Sequence, residues 1–401
     1  MKPEAIALYR GNVQRTGEYQ AVGVPNFHGI AWQFQTGGPV DLTPVVADGI
    51  VLMSSTDRTL YALDALTGEH RWHLQMSYFV DTPPHVADGV VYVGDDGSIH
   101  ALDLHTGQRL WTWSAYDLPS EEQLRELHAD EDVEVEDALA EMLGKAMDDE
   151  EEEEEVEGDN EEIERMGFGA PICYRGRLYV FSDSVVMALD LATRQPIWWQ
   201  YMMGRVSCSS LAIANDQLYL TAGYSHSDDA LCSLDSTTGL FTSPSAKEDT
   251  FLEPCAFAFR DDILYVLTKY HLSSSATAFD EDPELEHAEG LAVGQDMVYV
   301  TTDPKPGKHQ GKPAVIAFNR ESGQMIWQRS DLTATSSRIR FPTLAGSVLY
   351  LILDGQMCCA LDAATGRERW RVQLERGVLA PPCIAGETVF VAAGATVYAL
   401  H

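Results

Sequence analysis

Residues 60–76 read LYALDALTGEHRWHLQM, and residues 99–113 read IHALDLHTGQRLWTW. The two stretches share the spaced phrase Ala-x-Asp-x-x-Thr-Gly-x-x-x-Trp. None of these five residue types is an obvious catalytic group, whereas Asp, Thr and Gly are typical of turns. A phrase that returns within one chain indicates a fold assembled from one structural unit used several times.

The phrase returns along the chain at intervals of about 40 residues. It is complete at Ala62, Ala101 and Ala360, and partial copies start at Ala188, Ser233, Ala278, Ala317 and Ala399. Successive starts are 39, 87, 45, 45, 39, 43 and 39 residues apart, so only one interval is out of line. The copy at Ala278 keeps only that residue and Asp280, as the end of a third strand. We therefore expect eight repeats and one insertion of about one repeat length.

A second phrase precedes each copy of the first. Examples are PVVADGIVLM at 44–53, PHVADGVVYV at 84–93 and PTLAGSVLYL at 342–351. Two short apolar runs around a polar turn are typical of a β-hairpin. A third strand, the Thr-Gly turn and a fourth strand with the Trp would follow each hairpin. The sequence thus predicts an all-β, eight-bladed β-propeller of four-stranded antiparallel blades.

Each repeated residue has a structural role in such a blade. The Asp carboxylate can accept hydrogen bonds from the turn that it opens, and the Gly can adopt a positive φ. The Trp ring can bury a large area against the neighbouring blade and place its N–H on a carbonyl. We expect this blade-docking role for Trp32, Trp72, Trp111, Trp198, Trp327 and Trp370.

The two ends of the chain complement each other. Residues 386–401 supply strands but end before any Trp strand, whereas residues 30–37, IAWQFQTG, form a Trp strand with no hairpin before it. An N-terminal strand that completes the last blade would close the ring and remove an exposed sheet edge. We expect a lead-in segment at 1–29 and the propeller at 30–401.

The insertion, residues 118–165, has a distinctive composition. It holds 23 of the 62 acidic residues of the chain and lies between the second and third predicted blades. Such acidic blocks are usually disordered or act as interaction arms, although 135–147 has helical spacing, so we expect a partly helical or disordered segment. The candidate partner-binding residues are the acidic run Asp148, Asp149, Glu150, Glu151, Glu152, Glu153, Glu154 and Glu155, with Lys305, Lys308 and Lys312 on a loop of the same face.

Charge restricts the class of partner. The formal net charge is −35, from 27 basic and 62 acidic residues. This charge argues against nucleic acid and anionic membrane surfaces and favours proteins with basic surfaces. The start of the chain lacks a signal-peptide core, the first cysteine is Cys173, and no apolar run approaches a membrane-spanning length. We therefore expect a cytoplasmic protein, with no membrane insertion and with reduced cysteines in strands.

The repeat resembles the tryptophan-docking repeat of the pyrroloquinoline quinone-type propellers. That superfamily includes quinoprotein alcohol dehydrogenases and the propeller lipoprotein of the bacterial outer-membrane barrel-assembly machine. The resemblance covers residues 30–401 outside the insertion, and YRGNVQRTG at 9–17 is similar to the segment that leads into such propellers. It implies the fold, but the superfamily performs both catalysis and protein binding on one scaffold.

The resemblance implies a test for catalysis. Quinoprotein dehydrogenases hold two adjacent cysteines against the cofactor ring, and this chain contains Cys358 and Cys359. These two lie inside a predicted third strand, where neighbouring side chains point to opposite faces and a disulfide would distort the peptide. No segment matches the calcium ligands or the catalytic base of those enzymes. We therefore predict no cofactor, no metal and no catalytic residue.

Other candidate chemistry is sparse. His70 and His73 flank Trp72 without a cysteine or carboxylate cluster at metal-site spacing, and YSHSDD at 224–229 falls in a loop where polar residues are expected. The sequence favours a non-catalytic protein-binding or scaffolding propeller, a subunit of a larger assembly, with an acidic arm for a basic partner. The alternatives are a quinone-dependent dehydrogenase and an outer-membrane protein assembly factor lacking its leader. The oligomeric state stays open.

Overall fold

The computed structural model describes residues 10–114, 169–242, 254–279, 285–303, 312–333 and 338–401, except 79, 81, 96, 183–184, 203–204, 207–210, 224–229 and 286. The acidic insertion predicted at 118–165 and the YSHSDD stretch lie outside the described residues. Within the described ranges the secondary structure is β-strand, and no helix there is long and apolar enough to cross a membrane.

The strands follow one another in short antiparallel steps. The first are β1 (Glu18–Tyr19), β2 (Ile30–Gln35), β3 (Val45–Ala47), β4 (Ile50–Ser55), β5 (Thr59–Asp64), β6 (His70–Gln75), β7 (His85–Ala87), β8 (Val90–Asp95), β9 (Ser98–Asp103) and β10 (Arg109–Ser114). Then come β11 (Ile172–Tyr174), β12 (Arg177–Phe181), β13 (Val185–Asp190), β14 (Pro196–Tyr201), β15 (Arg205–Val206), β16 (Ala212–Ala214), β17 (Gln217–Gly223), β18 (Ala230–Asp235), β19 (Phe241–Thr242), β20 (Pro254–Arg260), β21 (Ile263–Thr268) and β22 (Leu272–Ser274). The last are β23 (Ala288–Val293), β24 (Met297–Thr302), β25 (Ala314–Asn319), β26 (Met325–Arg329), β27 (Ile339–Ala345), β28 (Val348–Leu353), β29 (Met357–Asp362), β30 (Glu368–Gln373), β31 (Cys383–Ala385), β32 (Thr388–Ala393) and β33 (Thr396–Leu400).

The strands form eight sheets, one for each predicted blade. Blades 1 to 8 are β3–β6, β7–β10, β11–β14, β15–β19, β20–β22, β23–β26, β27–β30, and β31–β33 with β2. Apolar side chains of adjacent sheets form the hydrophobic cores between the blades. The eight-bladed propeller predicted from the repeats is confirmed.

The ring closes through its N-terminal strand, as predicted. β2 is the outer strand of blade 8 and pairs antiparallel with β33, with Trp32 opposite Ala399. The N–H of Gly29 donates to the carbonyl of His401 at 3.0 Å, and the N–H of His401 donates back to Gly29 at 3.1 Å. Because blade 8 joins β2 to β33 from opposite ends of the sequence, opening the ring at this blade must break this sheet.

The motif tryptophans lie at the junctions between blades. In four of them the indole N–H donates to the carbonyl that follows the motif Asp of the next blade. The pairs are Trp32 with Ala65 (3.0 Å), Trp72 with Leu104 (2.8 Å), Trp198 with Ser236 (3.1 Å) and Trp327 with Ala363 (3.1 Å). At blade 8 the acceptor for Trp370 is Val24, at 2.7 Å, so the lead-in segment replaces the missing turn.

The motif glycine and the motif tryptophan explain each other. Gly107 has φ +70°, and a Cβ built on it would lie 2.6 Å from Cδ2 of Trp72. The same contact joins Gly68 to Trp32, Gly239 to Trp198 and Gly366 to Trp327. Glycine is therefore required both for the backbone conformation and for the space that the indole of the preceding blade occupies.

The motif aspartate stabilises the turn beside that glycine. Asp64 Oδ1 accepts the N–H groups of Leu66 and Thr67, both at 2.9 Å. The hydrogen bond from Arg71, together with these N–H groups, lowers the pKa of Asp64 to about 2. In blade 6, Asn319 accepts the N–H of Ser322 in the same way, which shows that the acceptor oxygen rather than the charge makes the turn.

Blade 3 departs from the repeat at the glycine position. Arg194 holds φ +62° there, and its guanidinium carbon lies 6.0 Å from the ring centre of Trp111. An arginine side chain can leave the turn and cover the indole face, which a compact branched residue cannot do. The junction between blades 2 and 3 therefore uses a cation–π contact where others use a glycine.

Blade 5 corrects one sequence prediction, because the third strand of its described part is not the one predicted at Ala278. β22 pairs Ser274 with Tyr265, as Ala188 pairs with Tyr179 in blade 3, so the register lies four residues earlier than predicted. The Ser274 hydroxyl accepts the N–H of Thr277 at 2.7 Å, and this serine turn ends the strand. The ring centre of Phe279 lies 6.3 Å from that of Tyr265, and in blade 3 the ring centre of Trp198 lies 6.1 Å from that of Tyr179. Phe279 therefore takes the place that the motif Trp has in blade 3.

Candidate functional site at the centre of the ring

The innermost strand of each blade has one edge with no neighbouring strand in its own sheet. Unpaired backbone N–H groups at such an edge must find another partner when they are buried. In blades 4 to 7 that partner is the segment of residues 10–24, named here the inner segment. The bonds are Ile213 to Val13 (2.9 Å), Phe259 to Gln14 (3.0 Å), Val293 to Thr16 (2.7 Å) and Leu344 to Gly17 (2.8 Å).

The inner segment continues to blade 8. Its strand β1 runs parallel to β27, with Glu18 opposite Leu344 and Tyr19 opposite Ala345. The N–H of Gly23 then donates to the carbonyl of Gly386 at 3.0 Å. One short stretch of chain thus bonds to five blades in succession beside the turns that join their first two strands.

Side chains complete the inner rim elsewhere. The N–H of Cys173 in blade 3 donates to Nε2 of His85 in blade 2 at 3.0 Å. The N–H of Val46 in blade 1 donates to the sulfur of Cys383 in blade 8. His85 and Cys383 are the first residues of the first strands of blades 2 and 8. In both blades, the side chain at this position accepts a hydrogen bond from the backbone of the next blade.

A buried histidine and a buried arginine lie close together at this rim. Arg15 is 1% exposed and its Nε donates to the carbonyl of Leu211 at 2.7 Å. Burial, aided by the charge of Arg15, lowers the pKa of His85 to about 3. His85 is therefore neutral at physiological pH, and the Cys173 bond to Nε2 puts its proton on Nδ1.

Arginine side chains anchor the inner segment further. Glu18 forms an ion pair with Arg260, whose Nη1 also donates to the carbonyl of Val293 at 3.2 Å. Arg10 donates to the carbonyl of Leu291. These partly buried contacts join the inner segment to blades 5 and 6, so side chains as well as backbone hold it against the inner rim.

The adjacent cysteines do not form the pair that the resemblance associates with a quinone. Cys358 packs in the core shared with blade 8, and Cys359 packs in the core shared with blade 6. Both are buried free thiols. Burial raises the pKa of Cys358, and raises the pKa of Cys359 to about 12. Both thiols stay protonated and buried, and they lie on opposite faces of the sheet.

The described residues do not fit a quinone with calcium. A joined cysteine pair against the cofactor would require both sulfurs on one accessible surface, whereas the two lie in different hydrophobic cores. In the part of the chain that the structure describes, no group of three or more His, Cys, Asp or Glu side chains could hold a metal ion.

The predicted partner-binding residues fall mostly outside the structure. The run from Asp148 to Glu155 and both Lys305 and Lys308 lie beyond the described residues, and Lys312 is exposed. The role of the acidic run and the basic loop therefore stays a prediction.

Sequence reasoning missed the inner segment and one buried network. His100 lies between Asp95 (Nε2 to Oδ1, 2.8 Å) and Thr112 (Nδ1 to Oγ1, 2.9 Å), with His100 and Asp95 buried. Its counterpart in blade 1 is Tyr61, whose hydroxyl donates to Asp57 at 2.6 Å. Alignment of the repeats would have revealed a polar side chain at this normally apolar position.

The eight four-stranded blades and the docked tryptophans define a closed propeller of the quinoprotein-like class. The chain belongs to the family described as outer membrane protein assembly factor BamB, which it matches over residues 28–141 and 311–401.

Two curated relatives have different functions, one as an assembly factor and one as an enzyme. The BamB outer membrane protein assembly factor of Yersinia pestis is 32% identical over 124 residues, which cover 26% of this chain and 30% of that protein. The quinohemoprotein alcohol dehydrogenase of Comamonas testosteroni is 27% identical over 139 residues, 27% of this chain and 20% of that protein. The chain covers no more than about a third of the curated relatives that it matches first.

Solved structures show the same architecture. The computationally designed Ika8 protein superposes with a TM-score of 0.63 at 15% identity, over 92% of this chain and 97% of that one. The Comamonas testosteroni dehydrogenase superposes with a TM-score of 0.61 at 15% identity, over 97% of this chain and 79% of that one. At this identity the likeness shows the fold alone.

Proposed function

We propose that this chain is a non-catalytic protein-binding or scaffolding propeller, a subunit of a larger assembly, and that residues 118–165 are an acidic arm for a basic partner. The observation that carries the first part is the inner rim. Residues 10–24 bond to five successive blades at the inner rim, and the adjacent cysteines are buried in separate cores. A propeller lined in this way by its own chain can still offer partners its outer faces and loops.

Charge supports the second part of the proposal. The segment holds 23 of the 62 acidic residues and so concentrates negative charge at one blade junction. Exposed charge of one sign attracts partners of the other sign and speeds their association. The cytoplasmic location predicted from the sequence remains part of the same proposal.

Two other functions remain as candidates. Family membership favours a role in outer-membrane protein assembly, which is the activity that the family's description names. Cell fractionation followed by detection with an antibody to the chain tests this function. An assembly factor of that kind would be found in the outer-membrane fraction, whereas the proposed scaffold would be found in the cytoplasmic fraction. Similarity to alcohol dehydrogenases favours catalysis, which the buried Cys358 and Cys359 oppose.

Excision of the arm tests its role directly. Residues 120–164 are replaced by a short Gly/Ser linker, and native partners are captured from lysate at low and high salt and identified by mass spectrometry. The melting temperature should be retained, because loop-closure entropy changes slowly with length. Complex formation should weaken, and the lost part should be salt-sensitive because it comes from exposed charge.

Charge reversal of the basic loop is the matched control. Replacement of Lys305, Lys308 and Lys312 by Glu should release the same partner if that whole face binds it. Retention of every partner by the excised protein at both salt concentrations would contradict the proposed arm.

A further inference from the structure

The outer strand of blade 1 contains a β-bulge that changes which side chains are neighbours. In β6, His70 pairs with Leu63 and Trp72 pairs with Ala62, so Arg71 is the extra residue. In a regular strand, residues three apart point to opposite faces. The bulge adds one residue to that count, so His70 and His73 lie on the same face.

Blade 7 shows that this neighbourhood belongs to the repeat. The same bulge occurs there, with Glu368 opposite Leu361 and Trp370 opposite Ala360. Glu368 and Arg371 occupy the positions of His70 and His73, and they form an ion pair. Two positions that make a salt bridge in one blade therefore hold two imidazoles in another.

The two imidazoles have the separation of ligands to one metal ion. Nε2 of His70 and Nδ1 of His73 share a hydrogen bond at 3.1 Å, with ring centres 5.1 Å apart, and a metal ion would replace the proton between them. Nitrogen ligands lie about 2.0–2.1 Å from zinc, which places two of them about 2.9 Å apart at a right angle and about 3.3 Å apart at the tetrahedral angle. The observed distance falls between these values.

Aromatic neighbours orient both rings. Phe34 of blade 8 stacks on His70 with ring centres 6.5 Å apart and planes 20° apart, and Tyr61 lies 6.4 Å from His73. The Tyr61 hydroxyl is engaged with Asp57, and Arg71 is paired with Asp64. Both histidines are exposed, so water can fill the coordination positions that the protein leaves open.

We propose that His70 and His73 form a two-histidine binding site for a divalent transition-metal ion of the zinc, nickel and copper class, with water completing the coordination. Neutral imidazole is a preferred ligand of these ions, and carboxylate-binding ions such as magnesium or calcium do not favour it. The site is independent of the proposed protein binding, because it uses only the perimeter of blades 8 and 1.

Metal titration of the full chain tests this site. Zn(II) binding is measured by calorimetry on the wild type, on His70→Gln and His73→Gln, and on the control His105→Gln, which removes an exposed histidine from blade 2. One equivalent should bind to the wild type and to the control. Each site variant should bind roughly tenfold or more weakly, because loss of a ligand costs at least what loss of its supporting groups costs.

A second readout identifies the ligands. In electron paramagnetic resonance spectra, Cu(II) bound to the wild type should show superhyperfine coupling to two nitrogen atoms, and Cu(II) bound to either site variant should show coupling to one. Acidification should release the ion, because protonated imidazole cannot bind it. Thermal melting confirms that each variant is folded. Absence of a saturable equivalent in the wild type, or wild-type affinity in either His70→Gln or His73→Gln, would overturn the proposal.

Discussion

The perimeter and the inner rim of this ring are held together by different means. At the perimeter one contact is repeated, because four motif tryptophans pack on the glycine turn of the next blade, as Trp72 does on Gly107. At the inner rim, one unrepeated segment supplies the carbonyls of Val13, Gln14 and Thr16 to successive blades. The perimeter thus depends on many equivalent contacts and the rim on a single stretch of chain.

Truncation at the N-terminus should have the largest effect. Deletion of residues 1–37 removes the inner segment and β2 together, leaving β33 as an exposed edge, so we expect aggregation instead of a stable monomer. Deletion of residues 1–23 spares β2 and Val24. It should leave a soluble protein destabilised on the order of 4 kcal/mol, about 1 kcal/mol for each of the four inner-strand bonds.

Size-exclusion chromatography and urea unfolding separate the two truncations. If the shorter deletion unfolds at the same urea concentration as the full chain, the inner segment does not support the rim. If the longer deletion is a stable monomer, the ring is not closed by β2.

Substitution of Trp370 tests the perimeter. Trp370→Ala should lower the free energy of unfolding by about 3–5 kcal/mol through the cavity left between blades. Trp370→Phe keeps most of the ring but loses the N–H bond to the buried carbonyl of Val24, at a cost of about 1–2 kcal/mol. Urea unfolding of both variants measures their free energies of unfolding and so gives the order of their stabilities. Equal stability of the alanine variant and the wild type would refute the docking role.

A pair of glycines in blade 2 separates the two demands on the motif glycine. Gly107 and Gly89 have φ +70° and +76°, but only Gly107 faces an indole, since nothing lies within 4 Å of a Cβ on Gly89. Gly89→Ala should cost about 1 kcal/mol through the backbone alone. Gly107→Ala should cost about 1–3 kcal/mol more through overpacking against Trp72. Equal losses on thermal melting would remove the steric part of the argument.

Arg194 should give the smallest effect. Arg194→Gly relieves a positive φ worth about 1 kcal/mol and loses a cation–π contact worth about 0.5–1 kcal/mol, so the two nearly cancel. Arg194→Ala keeps the backbone strain and loses the contact, and should be the less stable of the two. The opposite order in thermal melting would mean that the arginine does not stabilise Trp111.

The sequence predicted what the chain repeats. The blade number, the hairpins and the closure by residues 30–37 all follow from spacing that recurs, because each copy supports the interpretation of the others. Blade 5 broke the rule for a local reason: Ser274 ends its strand with a turn that no repeat contains, and Phe279 takes the tryptophan's place.

The inner segment could not be predicted in the same way. Its bonds come from backbone carbonyls, which any residue carries, and they join positions hundreds of residues apart, as between Gly17 and Leu344. The sequence shows no cysteine or carboxylate cluster beside His70 and His73, and a regular strand would place residues three apart on opposite faces. Only the bulge at Arg71 brings the two imidazoles together. Contacts made by backbone geometry leave little trace in residue type.

A quinone titration tests most directly the claim that this propeller is a binding module and not an enzyme. The full chain is mixed with pyrroloquinoline quinone and calcium, the absorbance spectrum and the melting temperature are followed, and dye reduction is assayed with alcohols and sugars. Because residues 10–24 bond to the inner rim of blades 4 to 8 and Cys358 and Cys359 lie in separate cores, we predict an unchanged spectrum, an unchanged melting temperature and no dye reduction. Saturable binding of one equivalent with substrate-dependent dye reduction would contradict the account.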